Sequence, residues 1–120
     1  MQNAYEKSAM LITAWHEAVN QRDLVAAQKL VTDPVEVAGP RGIQRITAAE
    51  FADWITTSGI RMRPLSTHPV DDATAVVEQE ATWPGSDAAR VATLFRTRDG
   101  AISSISRFAS LDEALRAARP

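Results

Sequence analysis

Three tryptophans, Trp15, Trp54 and Trp83, are the largest apolar side chains in the sequence. Rings of this size dominate core packing, and they also line ligand pockets, which are mostly apolar and aromatic. Gln79 falls between Val77 and Ala81 in an alternating run. Its amide therefore shares their inward face and needs a partner there, either a core hydroxyl or a ligand. Glu78 and Glu80 take the opposite phase with Thr74, Val76 and Thr82. On a solvated or interface-facing side they are ordinary surface acids. With the faces inverted they become an acid–base pair, because burial in a cleft raises a carboxyl pKa into a useful range. His16 and His68 are the only histidines. Their positions give no helical pairing that would hold zinc, and no metal site is expected. His16 is rotated from Trp15 by ~100° around a helix, which points it to solvent or to a neighbouring helix. Either histidine is a candidate general base. Arg41 lies in a glycine-proline loop and Arg107 in the last β-rich run. Each carries the planar fork that binds a carboxylate, and each also fits a plain surface role. No phosphate loop, nucleophile elbow or dinucleotide fingerprint accompanies these residues, so no cofactor is implied.

The elements that must position them are legible from periodicity. Residues 4–20 form a first helix whose stripe is Leu11 or Ile12, Trp15, Ala18, Val19 and Arg22. Asp23 caps a second helix running to Val31, ended by Thr32-Asp33-Pro34. Residues 35–38 read as a short strand, followed by the turn Gly39-Pro40-Arg41-Gly42. Thr47-Ala48-Ala49-Glu50 is a capping box, so a third helix runs to about Ser58 with Gly59 as its left-handed stop. Phe51, Trp54 and Ile55 form its apolar face.

The remainder is β. Residues 60–63 alternate, and Pro64 assigns that strand to a sheet edge or a bulge. His68-Pro69-Val70-Asp71-Asp72 reads as a turn, and residues 74–83 as a strand. Two β-rich runs, 91–98 and 101–108, flank Asp99-Gly100, the strongest short-range hairpin signal. Ser110-Leu111-Asp112-Glu113 starts a short final helix. Helices grouped early and strands late predict an α+β domain spanning 1–120, with a strongly bent antiparallel sheet.

Composition narrows the function classes. A net charge of −2, with basic residues scattered among acids, gives no footprint for nucleic acid. The absence of cysteine excludes a disulfide scaffold and a thiolate nucleophile. No signal-peptide pattern and no apolar run of spanning length is present. A cytoplasmic protein without membrane or nucleic-acid partners is the expectation.

Four segments in this order resemble the nuclear transport factor two-like superfamily, and within it the SnoaL-like branch. They are Trp15-His16-Glu17-Ala18-Val19-Asn20-Gln21-Arg22-Asp23-Leu24, Gly39-Pro40-Arg41-Gly42, Val76-Val77-Glu78-Gln79-Glu80 and Arg98-Asp99-Gly100-Ala101-Ile102. The resemblance covers nearly the whole chain. It implies a cone in which the sheet wraps the first helix and a pocket opens between sheet and helices. Members include isomerases, cyclases, epoxide hydrolases, dehydratases and non-catalytic binding proteins, so fold alone does not give function. The ketosteroid isomerase roles do not carry over. Trp15 stands where that branch has a tyrosine, Ala38-Gly39 near its general base, and Thr93 near its second oxyanion donor.

The leading expectation is a binder of a small apolar molecule, with Trp15, Trp54 and Trp83 on or near the pocket wall. Gln79 is expected as the pocket's internal polar group and Arg41 as a loop contact. An acid–base enzyme of polyketide cyclase, epoxide hydrolase or dehydratase type is the alternative, and a dimerisation or scaffold module the third. A homodimer is expected to pair through the outer face carrying Thr74, Val76, Glu78, Glu80 and Thr82, with apolar area added by Leu94.

Overall fold

A computed structural model describes residues 4–119. The elements are α1 (Ala4–Gln21), α2 (Leu24–Leu30), β1 (Val31–Gly39), β2 (Gly42–Ile46) and α3 (Ala48–Ser58), then β3 (Arg61–Asp71), β4 (Thr74–Thr82), β5 (Ala89–Arg98), β6 (Ala101–Phe108) and α4 (Leu111–Ala118). The caps lie where side-chain chemistry puts them. The Asp23 carboxylate accepts from Ala26 N at 3.1 Å. Thr47 and Glu50 close both arms of a capping box at 3.0 Å each, and Ser110 Oγ accepts from Glu113 N at 3.2 Å. Asp99 and Gly100 both take positive φ, 52° and 80°, and turn β5 into β6 with Arg98 opposite Ala101.

The six strands form one curved, unclosed sheet in the order β2-β1-β6-β5-β4-β3. It is mixed where an all-antiparallel sheet was expected, because β1 and β6 run parallel. The chain leaves β1 through β2, α3 and three further strands before β6 returns beside it, and that long excursion allows a parallel pair. Residues 42–46 also form a strand that the sequence pattern does not announce. All five are exposed or half-buried, so β2 lacks alternation and exists through its ladder to β1, from Gly39–Gly42 to Val35–Ile46.

β3 extends past Pro64 and through the segment read as a turn, and the turn itself is Asp72-Ala73. A proline-bearing strand is tolerated here because β3 is a sheet edge, with register shifts at Pro64/Ser66 and Pro69/Asp71. The end of α1 anchors this edge strand. Asn20 Nδ2 donates to Met62 O and Asn20 Oδ1 accepts from Met62 N, both at 2.8 Å, replacing a neighbouring strand. Arg22 leaves α1 in the left-handed region at φ 58°, and its guanidinium donates to Val19 O and Ile60 O.

The inner face of the sheet packs Ala75, Val77, Ala81, Phe95 and Ile102 against α1 and α3. The outer face is covered by α4, whose Leu111, Ala114, Leu115 and Ala118 stripe packs on Val76, Ala92 and Leu94. Of the face expected to pair with a second copy, Thr74, Val76 and Leu94 are each 4% exposed or less within the chain. An amphipathic final helix must bury its stripe, and the outer sheet is the apolar surface it meets. Glu80 stays at the margin of that face, 3.3 Å from Arg63.

Gly59 ends α3 at φ 63°, and a Cβ there would lie 2.7 Å from Pro84 Cγ. Gly59→Ala is expected to lower unfolding stability by about 1–2 kcal/mol from the left-handed backbone alone. Crowding against Pro84 adds to that. A lowered urea midpoint with an unchanged denaturant slope checks it.

Candidate functional site

Between α1, α3 and the β1–β2 hairpin the sheet leaves a pocket of ≈ 640 Å³. Phe51 and Trp54, one turn apart on α3, supply one wall, and Trp15 reaches it from α1. The three rings form a ladder. Trp54 and Phe51 lie 6.0 Å apart with planes 20° from parallel, and Phe51 and Trp15 lie 6.2 Å apart at 21°. Phe95 closes the inner end edge-on to Trp15 at 4.9 Å. Such a wall favours a flat apolar molecule. Trp15 Nε1 is the one buried side-chain polar atom without a hydrogen-bond partner among the described residues.

The pocket rim is polar and weighted to positive charge. Arg41 comes from the hairpin turn, Arg107 from β6 and Glu50 from α3. The Arg107 guanidinium sits 5.2 Å from the centre of the Trp83 ring, a cation–π contact that holds it in place. Glu50 is occupied as a cap, its Oε1 accepting from Thr47 N. Among the described residues no carboxylate pairs with Arg41 or Arg107.

Behind this wall runs a buried polar chain. His16 Nδ1 is 2.8 Å from Ile12 O, His16 Nε2 is 2.7 Å from Gln79 Nε2, and Thr93 Oγ1 donates to Gln79 Oε1 at 2.7 Å. The three side chains are 3%, 0% and 1% exposed. Thr93 lines the pocket and Gln79 does not. His16 borders a second hollow of ≈ 340 Å³ between α1 and β3. Burial pushes the His16 imidazole below its ordinary 6.5, and its hydrogen bond to Ile12 opposes this in part.

Of the residues singled out from sequence, Trp15, Trp54, Arg41 and Arg107 line the pocket. Gln79 lies one layer deeper, behind Thr93. Trp83 also stands one layer back, beneath Arg107. Glu78 and Glu80 are on the outer sheet face, away from the pocket, which follows from Gln79 facing in. His68 is on edge strand β3, bonded to Ser66 Oγ at 2.9 Å. His16 departs most from expectation, since it is buried against the sheet at Gln79 instead of facing solvent or a neighbouring helix. The ~100° rotation from Trp15 is as expected. The bent sheet, however, covers more of α1 than one stripe. Thr93 is a pocket residue that periodicity alone did not mark; it lies directly opposite Arg107 in the β5–β6 register. The inward phase Val91-Thr93-Phe95 was the available signal for Thr93. Among the described residues no cluster of His, Cys, Asp or Glu could hold a metal ion. Among the described residues no helix is long and apolar enough to cross a membrane.

The buried imidazole makes stability pH-dependent. Its pKa is lower folded than unfolded, so between the two values the unfolded chain binds more protons. The contribution is whole above about 6.5 and is lost as pH falls below that value. Urea unfolding from pH 8 to 5 is expected to show a decline that His16→Gln flattens. Gln79→Leu, which strips both neighbours of a buried partner, is expected to cost about 1–3 kcal/mol at pH 7.5.

No family model and no curated protein matches the sequence. Solved structures do match the fold. An NTF2-like protein of unknown function from Cytophaga hutchinsonii is 13% identical, with a TM-score of 0.77 covering 90% of this chain and 94% of that one. A LEH-like epoxide hydrolase from M. tuberculosis is 14% identical, with a TM-score of 0.79 over 98% of this chain and 89% of that one. A computationally designed 17-OHP binder is 16% identical, with a TM-score of 0.75 over 88% and 92%. With its curved sheet wrapped on α1 and its pocket between sheet and helices, the chain has the nuclear transport factor two-like (NTF2-like) fold.

Proposed function

We propose that this chain binds a flat, mostly apolar small molecule that carries one anionic group. The observation that supports it most is the Trp54–Phe51–Trp15 ladder beside a rim whose arginines have no acidic partner. The ladder suits the ring system, and the guanidinium forks of Arg41 and Arg107 suit a carboxylate. That the same fold carries a designed 17-OHP binder is consistent with a small-molecule pocket at this size.

The geometry supports binding over acid–base turnover. A general acid or base must come within hydrogen-bond reach of the reacting atoms. The ionisable residues on the pocket lining are Arg41, Glu50 and Arg107, and Glu50 already serves its helix cap. Glu78 and Glu80 face away, and neither His16 nor His68, the other acid–base candidates for a cyclase-, hydrolase- or dehydratase-like activity, lines this pocket.

Titration of 2-naphthoate, followed by tryptophan fluorescence and calorimetry, tests the proposal. Binding to the folded chain is expected, and Trp54→Ala, at a partly exposed position, should weaken it by about five- to tenfold. Arg107→Gln should weaken 2-naphthoate while leaving its neutral methyl ester unchanged. No saturable binding, or equal loss for acid and ester, would count against the assignment.

A further inference from the structure

The geometry points to Thr93 as a residue that meets its ligand only as a hydrogen-bond acceptor, so that the pocket selects a molecule presenting a hydroxyl or N–H donor at its buried apolar end. This rests on the small-molecule reading of the pocket and names the group that the ligand must carry.

The polarity of the buried chain is fixed from one end. A backbone carbonyl can only accept, so the 2.8 Å contact to Ile12 O requires the hydrogen of His16 to be on Nδ1. In a neutral imidazole the other nitrogen is then a lone pair, and burial favours the neutral form. Only an N–H can face that lone pair at 2.7 Å, so the amide of Gln79 must present Nε2 to His16 and Oε1 to Thr93. The reversed amide would set oxygen against the Nε2 lone pair. Gln79 Oε1 can only accept, so it takes the single hydroxyl hydrogen of Thr93.

A threonine hydroxyl normally rotates to donate or to accept as its partner requires. Here its hydrogen is held by a fully buried amide that does not line the pocket, whereas Thr93 itself does. What its oxygen can offer a ligand is a lone pair. A carbonyl or ether oxygen placed against it meets another acceptor with no hydrogen between them. A hydroxyl or N–H completes the chain. Thr93 is thus a specificity-determining residue, with Gln79 and His16 as positioning residues that act through it.

Two neutral probes isolate this effect from the arginine rim. Calorimetric titration of the wild-type chain is expected to give 2-naphthol a dissociation constant about tenfold lower than that of 2-methoxynaphthalene. Thr93→Val should bring the ratio to within about twofold without loss of fold by circular dichroism. Gln79→Leu, which frees the Thr93 hydrogen to turn into the pocket, should raise affinity for the methoxy probe. Long-range proton–nitrogen NMR of His16 at pH 7.5 reads the chain directly in the free protein and is expected to show the neutral Nδ1–H tautomer. Equal binding of the two probes, a preference that survives Thr93→Val, or an Nε2–H tautomer overturns the inference and leaves the pocket reading standing. Binding of neither probe, nor of 2-naphthoate, overturns both.

Discussion

A single backbone carbonyl inside α1 determines more of this molecule than any side chain does. Ile12 O lies one helical turn before His16, within reach of the imidazole Nδ1. That contact fixes the histidine tautomer, which in turn orients Gln79 on β4 and Thr93 on β5. Gln79 lies opposite Val91 and Thr93 opposite Val77, so the two are diagonal neighbours on the inward face of adjacent strands. A one-residue slip between β4 and β5 would turn one of them outward and leave a fully buried amide unpaired. The chain therefore holds the central helix and two central strands in one register, which apolar packing of Ala75, Val77, Ala81 and Phe95 alone specifies less sharply.

The pocket exists because the two ends of the sheet are held differently. At the β3 edge, Asn20 and Arg22 bind the backbone of Ile60 and Met62 directly, which draws the strand onto the end of α1. At the β2 edge the strand pairs only with β1, and of its side chains only the half-buried Ile46 packs on the core. The hairpin that carries Arg41 thus stands away from α1, and α3 fills part of the gap with Phe51 and Trp54. Space remains between them, bounded by rings on one side and by Thr93 and Arg107 on the other. The outer face contributes through α4. By covering Val76, Ala92 and Leu94, it lets β4 and β5 carry apolar side chains on their outer side as well.

What was legible in the sequence was what local chemistry decides. The caps at Asp23, Thr47 and Ser110, the stop at Gly59, the turn at Asp99-Gly100 and the faces of β4 depend on side chains within a few residues of each other, and each was read in place. Non-local partnerships were not legible. β2 has no buried face to generate a period, and the parallel β1–β6 pair depends on the path of the whole chain. Pro69 looks like a turn residue unless it is known that edge strand β3 runs on past it. His16 was misplaced because helical periodicity reports one stripe, whereas the depth of a helix in a wrapped sheet is a tertiary quantity. The polar candidates were each visible, but their connection was not. Nothing local says that Gln79 meets a histidine 63 residues earlier.

That connection also bears on what the interior can do chemically. A buried histidine beside a pocket invites the role of general base, yet both of its nitrogens are already bonded. A proton arriving at Nε2 would meet the N–H of Gln79. To accommodate it the amide would have to reverse and present oxygen, while desolvation opposes the imidazolium throughout. A base whose use demands rearrangement of a fully buried side chain is poorly placed to cycle protons. The same rigidity is an advantage for recognition, because a hydroxyl oxygen whose hydrogen cannot turn discriminates between donors and acceptors of the same shape. Pre-organised polarity behind an aromatic wall is the physical requirement of a selective binding site.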